Sequence, residues 1–154
     1  MPTIHQWLNE YGESHQNPLN KSIHWICVPS IFLSIVGFLY CIKLPFYFAN
    51  HHINLALIAL LIVLIYYFSL SKTLSVGMFV FAFACLLFCH LMERYFFIPL
   101  WAVSLFIFIA AWAGQFYGHK IEGKKPSFLK DLHFLLIGPA WLMSFIYEKT
   151  GVKL

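Results

Sequence analysis

The sequence predicts an all-α integral membrane protein with four transmembrane helices, and composition and patterning together lead to this fold class. Of the 154 residues, 61% are apolar and 19% are aromatic, whereas only 10% are charged. A soluble domain is about half apolar and about a quarter charged. So short a chain could not bury this much apolar surface in its own core. The apolar residues also fall into runs long enough to cross a bilayer, so lipid is the expected solvent.

The N-terminal segment is predicted to form a surface helix followed by a turn. Ile4, Trp7, Leu8 and Tyr11 recur at i, i+3, i+4 and i+7, which is the apolar stripe of an amphipathic helix. Two glutamates in this segment stand where a secretory signal would carry basic residues and then an apolar stretch. We therefore expect no cleaved signal peptide.

Four apolar runs provide the predicted spans, because each is long enough at 1.5 Å per residue to cross roughly 30 Å of hydrocarbon. They cover residues Ile23–Ile42, Ile53–Leu70, Leu74–Leu91 and Tyr95–Tyr117. A fifth run, Phe134–Tyr147, is shorter and is interrupted by Gly138-Pro139. We expect this last segment to form a re-entrant or interfacial helix rather than a span.

The distribution of basic residues predicts the topology. With four spans both termini lie on one side, together with all basic residues except Lys43 and Arg94, which indicates cytoplasmic termini. The chain is then one membrane domain over 1–154, with a surface helix and turn at 1–22, four spans within 23–118, and a cytoplasmic motif and short apolar helix at 119–154. The net charge of +4 is small and scattered, which argues against nucleic-acid binding.

Two histidines near the N-terminus are predicted to meet. His15 and His24 are nine residues apart, so on one straight helix they would point to opposite faces. Asn17 precedes a proline and is biased away from helical geometry, while Asn20 is a good N-cap for the following helix. The chain can therefore fold back and bring His15 toward His24.

A second polar cluster is predicted where the fourth span ends. Gln115, His119 and Glu122 are spaced i, i+4 and i+7 and form one stripe if the helix continues past the membrane, until Gly123 and Pro126 stop it. His133 follows at the head of the last apolar segment. The topology places all these residues at the same cytoplasmic depth as His15 and His24.

A cluster of neutral imidazoles suits a divalent transition metal such as Fe, Zn, Cu or Ni. Glu122, Gln115 or Asn20 could orient such ligands, and spacing alone does not choose the metal. The competing interpretation is that these are interfacial histidines without a ligand. From the pattern alone that interpretation is favoured for His15, His24, His119 and His133 as well, and it is favoured most for His5, His51, His52 and His90.

The two polar motifs together resemble a known family. The first is Tyr11-x-x-x-His15-x-x-x-x-Asn20-x-x-x-His24 followed by Pro29, and the second is Gln115-Phe116-Tyr117-Gly118-His119-x-x-Glu122-x-x-x-Pro126 with the later Gly138-Pro139. Their order and spacing resemble the membrane family of the fungal 2-hydroxy-fatty-acid dioxygenase of the Mpo type. The common glycine before the first-span proline is replaced here by Cys27 or Val28.

The resemblance implies an iron(II)-dependent enzyme that shortens long-chain 2-hydroxy fatty acids by one carbon with O2, in the endoplasmic reticulum of fungi. By position it implies His15, His24 and His119 as metal ligands. Asn20, Gln115 and Glu122 accompany them as candidate catalytic residues, and Glu122 could be either a base beside the metal or a direct ligand. His133 is a further candidate ligand that the family pattern does not demand.

Two other functional classes stay open from the sequence. One is a non-catalytic membrane scaffold or transporter subunit, although ionisable groups lie almost entirely at the ends of the spans rather than near mid-membrane, which counts against transport. The other is a membrane zinc hydrolase, since three histidines and a glutamate also suit zinc. The short chain favours a bacterial inner membrane, or the endoplasmic reticulum if the source is eukaryotic.

Overall fold

The computed structural model describes residues 3–48, 51–125 and 133–154. These residues form six helices and one two-stranded antiparallel sheet. The elements in chain order are α1 (Ile4–Gly12), α2 (Pro18–Cys41), β1 (Lys43–Phe48), β2 (His51–Asn54), α3 (Leu55–Leu70), α4 (Lys72–Tyr95), α5 (Leu100–Glu122) and α6 (Phe134–Thr150). The helical class is confirmed, and the small sheet is an addition that the sequence pattern did not predict.

Three helices, α2, α4 and α5, are long and apolar enough to cross a membrane, which supports a membrane protein. The second predicted span, Ile53–Leu70, is not confirmed, because α3 has only 16 residues. That length corresponds to about 24 Å, short of the roughly 30 Å of a hydrocarbon core. The first two residues of the predicted run, Ile53 and Asn54, belong to strand β2 instead. Asn54 then caps α3, because its side chain accepts a hydrogen bond from the Leu57 N–H at 3.0 Å.

The four apolar helices α2 to α5 alternate in direction. The end of α2 and the end of α4 are joined by an ion pair between Lys43, just after α2, and Glu93, at 2.9 Å. At the opposite end of the bundle, the Asn20 side chain near the start of α2 donates to Glu122 at the end of α5, at 3.1 Å. The first turn of α2 and the last turn of α5 therefore lie side by side.

Close packing between α2 and α5 depends on small residues. A Cβ atom added at Gly114 would overlap Sγ of Cys27, and one added at Gly118 would overlap Oδ1 of Asn20. Gly114 and Gly118 form a small-xxx-small pair, which lets two membrane helices approach closely. This approach sets α2 and α5 against each other at the end of the bundle that carries His24 and His119.

Helix α1 has the amphipathic character that the sequence predicted. A capping box begins it, in which the Thr3 N–H donates to the Gln6 side chain at 2.7 Å and the Gln6 N–H donates to the Thr3 hydroxyl at 3.4 Å. The buried face consists of Ile4, Leu8 and Tyr11. This face packs against α6, so the surface helix is held by protein contacts.

Helix α6 is continuous from Phe134 to Thr150, so the predicted interruption at Gly138-Pro139 is wrong. Proline removes a single backbone donor, and the remaining helix is supported by packing on α1, α2 and α4. Tyr147 fixes α6 to α4, because its hydroxyl donates to the Thr73 carbonyl at 2.8 Å and accepts from the Gly77 N–H at 2.9 Å.

Enlarging Gly118 tests whether α2 and α5 approach each other as closely as the structure shows. We expect Gly118→Ala to lower the free energy of unfolding by about 1–3 kcal/mol, because the added methyl overlaps the Asn20 side chain. Thermal unfolding in detergent measures the change. Ala113→Val, on the exposed face of the same helix, is the matched control and should change stability little. Equal stability of Gly118→Ala and the wild type would contradict the close approach.

Candidate metal centre

The turn between α1 and α2 brings His15 against His24. Helix α2 begins at Pro18, and Asn17 is its N-cap, with Oδ1 accepting from the Leu19 N–H at 2.9 Å. The prediction that Asn20 caps the helix is therefore wrong, because the cap lies three residues earlier. The predicted fold-back is nevertheless present, since Nε2 of His15 lies 2.8 Å from Nε2 of His24.

The His15 and His24 rings, if both are neutral, lack one proton for the three polar contacts that their nitrogens make. Nδ1 of His15 lies 2.6 Å from the Tyr11 carbonyl oxygen, and Nδ1 of His24 lies 2.9 Å from the Asn20 carbonyl oxygen. A carbonyl oxygen only accepts, so both Nδ1 atoms must carry the proton. Two neutral imidazoles then have no proton left for the contact between their Nε2 atoms, and two lone pairs face each other. A cation between them removes the repulsion.

Burial argues that this cation is not an extra proton. Both His15 and His24 are fully buried, with 0% of the residue exposed. Burial and the neighbouring His24 lower the pKa of His15 to about 3, so its ring is neutral at physiological pH. A neutral imidazole with a free lone pair is the form that binds a metal.

His119 completes a group of three ligands. One ring nitrogen from each of His15, His24 and His119 lies within 4.8 Å of the other two, and all three residues are buried. The 2.8 Å between the Nε2 atoms of His15 and His24 is short enough for both to bind the same ion. These three histidines could hold a metal ion, and the donor set fits one.

Glu122 holds the turn that carries His15. Its Oε1 accepts from the Gln16 N–H at 2.9 Å, and its Oε2 accepts from the Asn17 N–H at 2.8 Å and from Nδ2 of Asn20 at 3.1 Å. Both carboxylate oxygens are therefore engaged by the first turn of α2 and the residues before it. These hydrogen bonds join the last turn of α5 to the turn between α1 and α2, which carries His15 and is called the histidine turn below. The residues that they join are more than 100 positions apart in the sequence.

Gln115 lies one turn before His119 on the same helix and is also buried. Oε1 of Gln115 and Nδ1 of His119 have no hydrogen-bond partner among the described residues. Buried polar atoms are almost always paired, so such atoms point to a missing polar ligand or water at the site. Both residues line the cavity described next.

Two cavities approach the three histidines from different sides. An apolar cavity of about 250 Å³ is lined at one end by His24, Gln115 and His119 and elsewhere by aliphatic and aromatic side chains. A wider cleft of about 740 Å³ reaches His15 and has polar walls that include Lys21. The centre is therefore accessible from an apolar side and from a polar side.

His133 lies outside this group. Its ring packs on Trp7, with the centroids 4.5 Å apart, and its Nε2 is hydrogen-bonded to the Tyr66 hydroxyl. Of the four histidines expected to be without metal, His5 is exposed on α1, and His52 and His90 are exposed toward the β1–β2 end of the bundle. The side chain of His51 lies outside the described residues.

Two aromatic residues beside the centre were missed as functional candidates. The Tyr11 ring stacks on His15, with centroids 4.2 Å apart and an interplanar angle of 13°. Trp141 of α6 lies 5.2 Å from His15 between ring centroids. The i, i+4 spacing of Tyr11 and His15 on a predicted helix was a usable signal for the first. Trp141 had none, because its position depends on how α6 packs.

The comparison with protein families agrees with this arrangement. The model of the Mpo1-like family, described as 2-hydroxy-palmitic acid dioxygenase Mpo1-like, matches residues 1–150 of the 154. No curated protein and no solved structure matches the chain. The matched range includes both ends of the sequence that meet at the three histidines. The chain belongs to the Mpo1-like family.

Proposed function

We propose that the protein is an iron(II)-dependent dioxygenase that converts a long-chain 2-hydroxy fatty acid into the acid one carbon shorter. His15, His24 and His119 hold the iron. The observation that carries the proposal is the pair of buried neutral rings whose Nε2 atoms face each other 2.8 Å apart, with both Nδ1 protons already donated to carbonyl oxygens. The family description supplies the reaction class.

The proposed reaction balances without another reductant or oxidant. A 2-hydroxy acid and O2 give the shortened carboxylic acid, CO2 and water. The bond between C1 and C2 breaks, C1 leaves as CO2, and C2 is oxidised from an alcohol to a carboxyl carbon while O2 accepts four electrons. His15, His24 and His119 would hold the iron, which would supply the activation of O2.

The chain's own residues position the substrate. Gln115 and His119 present unpaired buried atoms at the polar end of the apolar cavity, which suits a substrate hydroxyl or carboxyl group. Gln115 is therefore the catalytic residue that contacts the 2-hydroxyl. Glu122 and Asn20 are positioning residues, because the Glu122 carboxylate is occupied by backbone and amide donors of the histidine turn.

A zinc hydrolase is the second candidate, since three histidines also suit zinc with an activated water. The Glu122 carboxylate is turned to the histidine turn, because both of its oxygens accept hydrogen bonds there, and this favours a positioning role over that of a base for a metal-bound water. The family description also favours oxygen chemistry. Iron is therefore the proposed metal.

The proposed orientation places the histidines at the cytoplasmic face, in a bacterial inner membrane or in the endoplasmic reticulum. The excess of lysine near this end of the bundle supports it. The polar cleft beside His15 then opens to the cytoplasm, and the apolar cavity lies among the helices.

The first prediction concerns the metal. Protein purified without oxygen should contain about one iron per chain, and His15→Ala, His24→Ala and His119→Ala should each lose most of it, because each removes one of three ligands. Elemental analysis of the purified protein measures this. His52→Ala, at the opposite end of the bundle, is the matched control and should keep its iron. Zinc in place of iron would favour the hydrolase.

The second prediction concerns the reaction. With 2-hydroxypalmitate and O2, the wild type should form the fifteen-carbon acid and CO2 in equal amounts, measured by mass spectrometry and by trapping of labelled CO2. The three histidine variants should fall to background, whereas His133→Ala should keep the ability to form product. An active His119→Ala would count against the ligand assignment.

The third prediction separates positioning from ligation at Glu122. We expect Glu122→Ala to weaken iron binding by about 10–100-fold, the usual loss when a residue that orients ligands is removed. Metal titration measures the affinity, with Glu148→Ala, an exposed acid at the polar cleft, as control. Complete loss of iron, as in His119→Ala, would instead identify Glu122 as a direct ligand.

A further inference from the structure

The apolar cavity follows one face of α2 away from the histidines. The α2 residues that line it are His24, Val28, Ile31, Phe32, Ile35, Val36 and Leu39, which recur at the spacing of one helical face. Helix α3 closes the other side with Ala59, Leu60 and Val63. Among the described residues of its lining, the polar side chains His24, Gln115 and His119 lie together at one end, and most of the others are aliphatic or aromatic.

We propose that this cavity binds the acyl tail of a single 2-hydroxy fatty acid, and that Val36, Leu39 and Ala59 at its far end set the longest chain that fits. The inference rests on the proposed function for the identity of the head group. The cavity has a polar end beside the metal ligands and is apolar elsewhere. Such a cavity suits a molecule with one polar end and one long apolar tail.

The length of the cavity fits such a tail. Leu39 lies fifteen residues after His24, which corresponds to about 22 Å along the helix axis. An extended chain advances about 1.25 Å per carbon, from bonds of about 1.5 Å at angles of about 111°. The length along α2 therefore sets an upper limit of roughly eighteen carbons. The enclosed volume of about 250 Å³ holds roughly ten of them, by comparison with a cavity of about 150 Å³ that holds benzene.

The cavity also reaches the lipid-facing surface. Ile35 belongs to its lining and is 36% exposed, so a tail can enter sideways from the bilayer. The head group then meets His24 and His119 at the polar end of the cavity. This arrangement lets a substrate dissolved in the membrane bind without leaving it.

The test uses the full chain as purified, with its metal, and needs no turnover because the competing fatty acids lack a 2-hydroxyl group. A fluorescent fatty acid bound to the purified protein is displaced by unlabelled saturated fatty acids of ten to twenty carbons. For the wild type, affinity should rise about fourfold per methylene and stop rising at or before roughly eighteen carbons. Ala59→Phe fills the far end, so its plateau should come several carbons earlier.

Two further variants keep the test decisive. Ile58→Phe is the matched control, because the neighbouring residue is 40% exposed and outside the lining, and its plateau should equal that of the wild type. Leu39→Ala lengthens the cavity and should move the plateau to longer chains. An unchanged plateau in both Ala59→Phe and Leu39→Ala would overturn the inference, as would equally good displacement of the probe by a phospholipid.

The same variants separate this inference from the proposed function. If the wild type forms the shortened acid but Ala59→Phe and Leu39→Ala keep its chain-length profile, the tail site is wrong and the reaction stands. If the plateau moves as expected but the iron-loaded protein forms no shortened acid, the tail site stands and the proposed reaction is wrong.

Discussion

Two buried imidazoles that face each other without a proton to share are the constraint on which this structure depends. Each Nδ1 proton of His15 and His24 is committed to a backbone carbonyl, so the facing nitrogens are stable only with a cation between them. Neighbouring hydrogen bonds hold the two rings in this arrangement. Asn17 caps α2, and Glu122 ties the turn to the end of α5. The three buried histidines could hold a metal ion, and the unfavourable contact of the two neutral rings supports the proposal that they do.

The rest of the bundle explains how the two ends of the sequence reach this point. The antiparallel course of α2 and α5, and the glycines that let them approach, bring His119 to the turn that carries His15. Helices α1 and α6 then cover the centre with Tyr11 and Trp141. The result has a polar cleft on one side and an apolar cavity on the other. Such a division suits a substrate with one polar end and a long tail.

The features that could be predicted from the sequence are those that local chemistry decides. The amphipathic stripe of α1, the fold-back before His24 and the helix stop at Gly123, which has a φ of 72°, follow from spacing and from the conformational preferences of proline and glycine. The predicted N-cap of α2 was wrong because Asn17 and Asn20 are both residues that suit an N-cap. Only the position of Pro18 at the first helical residue distinguishes them.

The features that were missed depend on contacts between distant residues. The length of α3 is set by strand pairing in the preceding loop, and the pairing of short strands leaves little trace in composition. The packing of the His133 ring against Trp7 and Tyr66 could not be read from sequence spacing, and its role as a metal ligand stays a prediction. The role of Glu122 was ambiguous because backbone N–H groups, which every sequence contains, are its partners.

X-ray absorption at the iron edge of the anaerobically purified protein is the most direct test of this account. The spectrum should show a single iron(II) per chain with scattering from three imidazole rings, and substitution of any one of the three histidines should remove one ring or the iron itself. An iron site with no imidazole scattering, or a spectrum that is the same when His15 and His24 are both replaced, would contradict the central claim.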